Sequence, residues 1–339
     1  MGNCGVDIFF VLSGFIIFYS NYHLIGDSLK FANFLKKRII RIYPIYWIVT
    51  LSIMPVYAII PSFGQGDELN FNVIIGSLLL IPNYRSPILV SAWTLIHEML
   101  FYIIFGLIIL LKPNFVSKTI LIIWLTIISL LILNNFTLIK VDISDPLIRV
   151  LIHPQNIEFI LGCIAAKIII ANKTKFETMS KMSIKAIKIT VFFCFFIIAL
   201  SGFSQYYNIQ IFNLLTGIHV LIYGIVSTIL ILCLVFLDTW HINKDLNYEY
   251  LVQGTSIIKP PCTISGMILL GEASYSVYLT HGPALSALSK FMKHLRVDEL
   301  IGGFWASNIL FALVVASGII TYLYVELPML IFLKKRFIK

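Results

Sequence analysis

Arg38 and Arg41 stand three residues apart, so on a helix their guanidinium groups point the same way. Two such forks on one face suit a phosphate-bearing ligand, because each grips phosphate oxygens through paired N–H groups. The same residues, with Tyr43 and Trp47, also fit a second reading: cations reaching toward lipid headgroups beside an aromatic belt. A further group recurs at four-residue spacing. Thr94, Glu98 and Tyr102 share one helical face, and His97 lies about 100° round on the next. A carboxylate there accepts a proton, orients a neighbour, or acts as a hydrogen-bonded strut within its own helix. The string His97-Glu98-Met99-Leu100-Phe101 lacks the second histidine of a zinc-binding H-E-x-x-H, so no metal is expected. Ser274, Tyr278 and His281 fall at i, i+4 and i+7. Such a stripe can bond sugar hydroxyls or join helices as polar glue, a use that Asn156 and Glu158 ahead of Gly162 share.

All of these groups sit in or beside apolar runs. Of 339 residues, 59% are hydrophobic and 12% charged, against about a quarter charged in a soluble domain. That is too little charge to coat a soluble particle. The apolar residues fall into runs of about twenty, the length a helix needs to cross the hydrocarbon layer. Spanning helices are expected at 6–25, 42–62, 92–111, 119–137, 147–170, 189–204, 212–237, 266–289 and 303–325. The fold class is therefore an all-α polytopic bundle of about nine spanning helices, read as one integral-membrane domain over 1–339. Phe71 to Pro82 is too short to span and reads as a re-entrant piece. The five cysteines, Cys4, Cys163, Cys194, Cys233 and Cys262, show no C-x-x-C spacing and read as packing residues.

The net charge of +9 is confined to short segments between apolar runs, which points to the bilayer as partner and excludes nucleic acid. Lys30, Lys36, Lys37, Arg38 and Arg41 form a first basic loop in this reading. Lys173 to Lys188 and the tail Lys334, Lys335, Arg336 and Lys339 join it on the cytoplasmic side. Asp7, Glu98, His153, His219 and His281 then fall in the outer halves of five helices, with Glu158 nearer mid-membrane. Burying a charge in hydrocarbon costs about 2.5–3.5 kcal/mol at a helix centre, so a shared hydrated cavity is expected. Nine spans leave the N-terminus outside, with Asp7 almost at once in a helix, which suggests a helix upstream.

Several strings together resemble one family. Gly5-Val6-Asp7-Ile8-Phe9-Phe10-Val11-Leu12-Ser13-Gly14-Phe15 is similar to the G-V-D-x-F-F-V-L-S-G-F signature of the membrane acyltransferases called acyltransferase 3. Arg38 to Arg41 matches its R-x-x-R. Trp93-Thr94-Leu95 with Glu98 and Phe101-Tyr102 matches its W-[ST]-L…E…F-Y. Leu270-Gly271 with Ser274 to His281 matches its L-G…S-Y-S-x-Y-L-x-H, and Glu326-Leu327-Pro328 its closing E-x-P. Tyr43-Pro44-Ile45-Tyr46-Trp47 and Glu158-Phe159-Ile160-Leu161-Gly162 look most like its exopolysaccharide O-acetyltransferase branch.

The resemblance implies a multi-pass cell-membrane enzyme of ten helices. It implies transfer of an acyl group, such as acetyl, from cytoplasmic acyl-CoA (acetyl-CoA) to a hydroxyl of an extracytoplasmic polysaccharide or glycolipid. Arg38 and Arg41 would hold the CoA phosphates. Glu98 and Asp7 would serve catalysis, and Trp93, Ser274, Tyr278 and His281 would meet the acceptor. The family carries its catalytic His and an Arg on a helix ahead of G-V-D, whereas this sequence begins Met1-Gly2-Asn3-Cys4-Gly5. On that ground the domain is expected to be N-terminally incomplete and inactive as written. Three explanations stand: a truncated product, a non-catalytic relative, or substitution by His219 or His281. The alternative from another class is a transporter or flippase for a glycan intermediate, which predicts inverted repeats and matched broken helices.

Overall fold

The computed structural model describes residues 2–60, 63–64, 66–111, 144–172, 181–206, 219–244 and 262–337, and those residues are all-helical with no strand. In chain order the helices are α1 (Gly2–Asn21), α2 (Phe31–Ile59), α3 (Phe71–Leu79), α4 (Ala92–Leu111), α5 (Pro146–Leu151), α6 (Gln155–Ala171), α7 (Lys181–Tyr206), α8 (His219–Lys244), α9 (Cys262–His294), α10 (Val297–Ile301), α11 (Gly303–Thr321) and α12 (Leu327–Phe337). A π-helical turn, Tyr322–Glu326, joins α11 to α12. Among the described residues seven helical stretches are long and apolar enough to cross a membrane. The expected span at 119–137 lies outside the described residues. The one at 266–289 belongs to α9, whose Glu272, Ser274, Tyr275, Ser276, Tyr278 and His281 dilute its apolar character, and it is not among the seven.

The chain divides into two compact units, Met1–Ser28 with Ile108–Ile258 and Leu29–Leu107 with Lys259–Lys339. In the first unit α1 and α6 cross with their backbones in contact. A Cβ built on Gly14 would lie 2.0 Å from the Phe159 carbonyl oxygen, and one on Gly162 2.0 Å from that of Val11. Gly162, Ala165 and Ala166 are all buried, the small-residue face that lets membrane helices approach closely. Cys163 Sγ donates to the Gly14 carbonyl at 3.4 Å. Val11, Phe15, Ala165, Ala166, Ile169 and Ile231 of α8 form the core there. The span expected at 147–170 is one crossing stretch, Pro146–Ala171, built of two helices. Pro154 interrupts it, and Asn156 Nδ2 donates to the Val150 and Leu151 carbonyls at 2.9 and 2.8 Å, closing the end of α5. Asn156 thus ties the start of α6 to the end of α5 across the chain break.

In the second unit α2 runs unbroken for 29 residues, about 44 Å. Lys36, Lys37, Arg38 and Arg41, expected in a loop ahead of the span, lie inside this helix. Leu35, Ile39, Ile40 and Ile42 give the segment a helical apolar pattern, and nothing between Phe31 and Pro44 breaks it. Pro44 and Pro55 are accommodated within it.

α3 has nine residues, too few to cross, as expected for Phe71 to Pro82. Asn70 caps its start, and Leu80 ends it in the left-handed region at φ 53°. The last carbonyls of a helix have no partner of their own, and hydrocarbon supplies no water to bond them. α2 supplies three donors instead. Tyr46 Oη donates to Ser77 O at 2.8 Å, Trp47 Nε1 to Leu78 O at 2.8 Å, and Tyr43 Oη to Leu79 O at 2.9 Å. The polar atoms of Tyr43 and Trp47, read from sequence as an aromatic belt, are bonded to protein. Tyr46 is fully buried. The Ser77 carbonyl also accepts from Leu80 N at 3.0 Å, so Tyr46→Phe removes one of its two donors and is expected to cost about 0.5–1.5 kcal/mol, read as earlier thermal unfolding in detergent.

Candidate functional site

The second unit gathers its charged and hydroxyl groups where α2, α4, α9 and the π-helical turn meet. On α2, Arg38 lies with its guanidinium carbon 5.3 Å from the Tyr102 ring and 5.6 Å from the Phe34 ring. Both rings are buried, so they fix the guanidinium by cation–π attraction and leave its N–H edge for another partner. Arg41, one turn on, is exposed. Both guanidiniums act electrostatically on Glu98, and Arg41 also acts on Glu326.

On α4, Tyr102 Oη donates to Glu98 Oε1 at 2.5 Å. The four-residue spacing therefore makes the strut expected of it. The same carboxylate stands in the field of two arginines. One turn back, Thr94 Oγ1 and Tyr278 Oη are 2.6 Å apart, and Tyr278 donates to the Ser91 carbonyl at 2.9 Å. Arg38, Tyr102, Glu98, Tyr278 and Thr94 thus follow one face of α4. That face spans about 12 Å from Thr94 to Tyr102. His97, on the next face, pairs Nδ1 with the Trp93 carbonyl at 2.9 Å, and the two rings meet edge to face at 5.7 Å.

α9 turns a different stripe inward than the one read from spacing. Ala273, Ser276 and Leu279 are fully buried, while Ser274 is exposed. Tyr275 Oη donates to the Ile42 carbonyl at 3.1 Å, beside Arg41. Tyr275 has Glu98, Tyr102, Glu326 and Tyr46 as its charged and phenolic neighbours. Ser276 Oγ donates to Glu326 Oε2 at 2.5 Å, and Tyr322 Oη to Glu272 Oε2 at 3.0 Å. His281 Nδ1 contacts the Tyr278 carbonyl of its own turn at 2.5 Å. Tyr275 and Glu326 fall within the matched S-Y-S-x-Y-L-x-H and E-x-P strings, yet neither is among the site residues expected from sequence. Both carried a signal: Glu326 is a carboxylate at the edge of an apolar run, and Tyr275 sits one step off the chosen stripe. The π-helical turn, which shifts the phase of the helix after Thr321, is what brings Tyr322 and Glu326 onto α9.

Asp7, by contrast, belongs to the first unit. It is buried, as is Glu158, and the two carboxyls act electrostatically on one another. Gly224 of α8 packs on this pair, its Cβ position 3.0 Å from Glu158 Cγ. His153 lies at the break between α5 and α6, where its Nδ1 accepts from Gln155 N at 3.5 Å. The side chain of His219, the first residue of α8, lies outside those described. Of the residues expected to share one cavity, the structure pairs Asp7 with Glu158 in one unit. In the other it joins Glu98 to Arg38, Arg41, Tyr275 and Tyr278.

Comparison with known proteins gives two matches. The family model for an acyltransferase domain matches residues 1–324. The exopolysaccharide production protein ExoZ of Rhizobium meliloti (strain 1021) is 28% identical over 343 residues, covering 97% of this chain and 90% of that protein. No solved structure matches.

Proposed function

We propose, because this chain belongs to the acyltransferase domain family, that it transfers an acetyl group from cytoplasmic acetyl-CoA to a hydroxyl of a polysaccharide or glycolipid at the cell membrane. The observation that carries the reading is the Arg38, Arg41, Glu98, Tyr102 cluster on facing helices of one unit. Arg38 and Arg41 take the phosphates of the donor, for which bidentate guanidinium geometry is suited. The acceptor oxygen attacks the thioester carbonyl carbon and the C–S bond breaks. The hydroxyl proton leaves through a base to the departing CoA sulfur, so the products are an ester and free CoA thiol. Glu98 is the carboxylate assigned to this proton movement or to orienting the group that performs it. ExoZ, named for exopolysaccharide production, supports an exopolysaccharide as the acceptor.

The reading is tested with membranes containing the chain, labelled acetyl-CoA and de-esterified exopolysaccharide from the host. Label is expected to enter alkali-labile ester on the glycan. Glu98→Gln keeps an acceptor oxygen for Tyr102 but removes the charge. It is expected to lower transfer by about 100-fold or more, within the range of a lost acid–base group, with folded yield little changed. Equal loss of yield and activity would make Glu98 a strut alone, and no labelled ester from the intact chain would remove the acetyl-transfer reading.

A further inference from the structure

α2 and α12 come from opposite ends of the chain, yet their cationic turns meet in the second unit. Lys36 Nζ lies 5.7 Å from the centre of the Phe337 ring, and the Arg336 guanidinium carbon 5.8 Å from the same ring. Lys36 and Lys37 on α2 and Lys334, Lys335 and Arg336 on α12 are all exposed. Neither Phe31–Ile59 nor Leu327–Phe337 contains an Asp or Glu, so no carboxylate on either helix offsets these charges. Phe337 is itself 44% exposed, and Ile331 and Phe332 on the same short helix are each 60% exposed.

We propose that this end of the second unit is a docking surface for anionic phospholipid, where Lys36 and Arg336 flank Phe337 and Lys37, Lys334 and Lys335 add charge on the same two helices. The charges call for an anion, and the exposed Ile331, Phe332 and Phe337 call for an apolar partner on the same helix. A soluble phosphate meets only the first demand. A phospholipid meets both, its headgroup among the cations and its acyl chains against the apolar residues. Bound there, it bridges α12 to α2 at the residues immediately ahead of Arg38.

The test uses the full-length chain purified in neutral detergent and mixed with phosphatidylglycerol or phosphatidylcholine, the retained lipid being counted by native mass spectrometry. The intact protein is expected to retain phosphatidylglycerol in preference to phosphatidylcholine. The triple variant Lys334→Gln, Lys335→Gln, Arg336→Gln is expected to weaken that retention on the order of 100-fold. Phe337→Ala, which leaves all five charges, is expected to weaken it several-fold, and it keeps the test decisive should the triple variant fold poorly. Equal retention of the two lipids by the intact protein, or unchanged retention in Phe337→Ala, would overturn the proposal. Displacement of the lipid by inorganic phosphate alone would assign the site to a soluble anion and overturn it equally.

Discussion

Arg41→Ala is expected to lower acetyl transfer by about 10- to 100-fold while the amount of folded protein stays unchanged. A charge-assisted hydrogen bond is worth about 1.5–3 kcal/mol, and each 1.4 kcal/mol is a factor of ten in binding. Arg41 is exposed and its guanidinium packs on none of the rings that hold Arg38, so its removal takes away charge and donors with little packing. Arg38→Ala is expected to match it in activity but to unfold earlier, because its contacts with Phe34 and Tyr102 are worth about 0.5–2 kcal/mol. The two losses appear in different measurements, CoA binding by titration for both and thermal unfolding for Arg38 alone. Arg38→Lys keeps the charge and loses the fork, so it should recover part of the binding. If Arg41→Ala binds CoA and transfers acetyl as the intact chain does, the arginines are anchors to the bilayer and the donor site lies elsewhere.

The second large effect is expected at the crossing of α1 and α6. Gly162→Ala would set a methyl 2.0 Å from the Val11 carbonyl oxygen and 2.8 Å from the Phe15 nitrogen. Both obstacles are backbone, so no side chain can swing aside and the helices must part. Overpacking of this kind typically costs about 1–3 kcal/mol and more where nothing yields. Parting α1 from α6 also loosens Val11 and Phe15 from Ala165, Ala166 and Ile169. Gly162→Ala, and likewise Gly14→Ala against the Phe159 carbonyl, is expected to abolish most of the monodisperse protein recovered by size exclusion in detergent. Gly266→Ala is the matched control: its Cβ position meets nothing within 4 Å, and alanine favours a helix over glycine by about 1 kcal/mol. Normal recovery of Gly162→Ala would mean that the two backbones are not in contact.

What could be read in advance depended on how local its cause was. The bilayer-crossing character follows from composition and run length, and the Glu98–Tyr102 bond follows from four-residue spacing on one helix. The nearness of Arg38 to Arg41 has the same local origin. Partners on other helices were not legible in this way. Ser274, Tyr278 and His281 share a face by spacing, but the face that α9 turns inward is set by its packing, with Val277 against Gly318 and Ser276 against Glu326. Ser274 is left exposed and Tyr275 is drawn in. Tyr43 and Trp47 have the composition of a lipid belt, and only the arrival of the C-terminal carbonyls of a nine-residue helix, Leu78 and Leu79, gave their polar atoms another use.

The sequence by itself determined that this chain is helical, belongs in a membrane, and carries the ordered motifs of an acyltransferase, since each depends on residue type and short spacing alone. Tertiary structure decided which polar groups face one another: Asp7 with Glu158 in one unit, and Arg38, Arg41, Glu98, Tyr275 and Glu326 in the other. The physical reason is that hydrocarbon penalises any unpaired polar group but does not specify its partner. The choice falls to how closely backbones approach, and here the small residues Gly14, Gly162 and Gly318 and the π-helical turn after Thr321 make it.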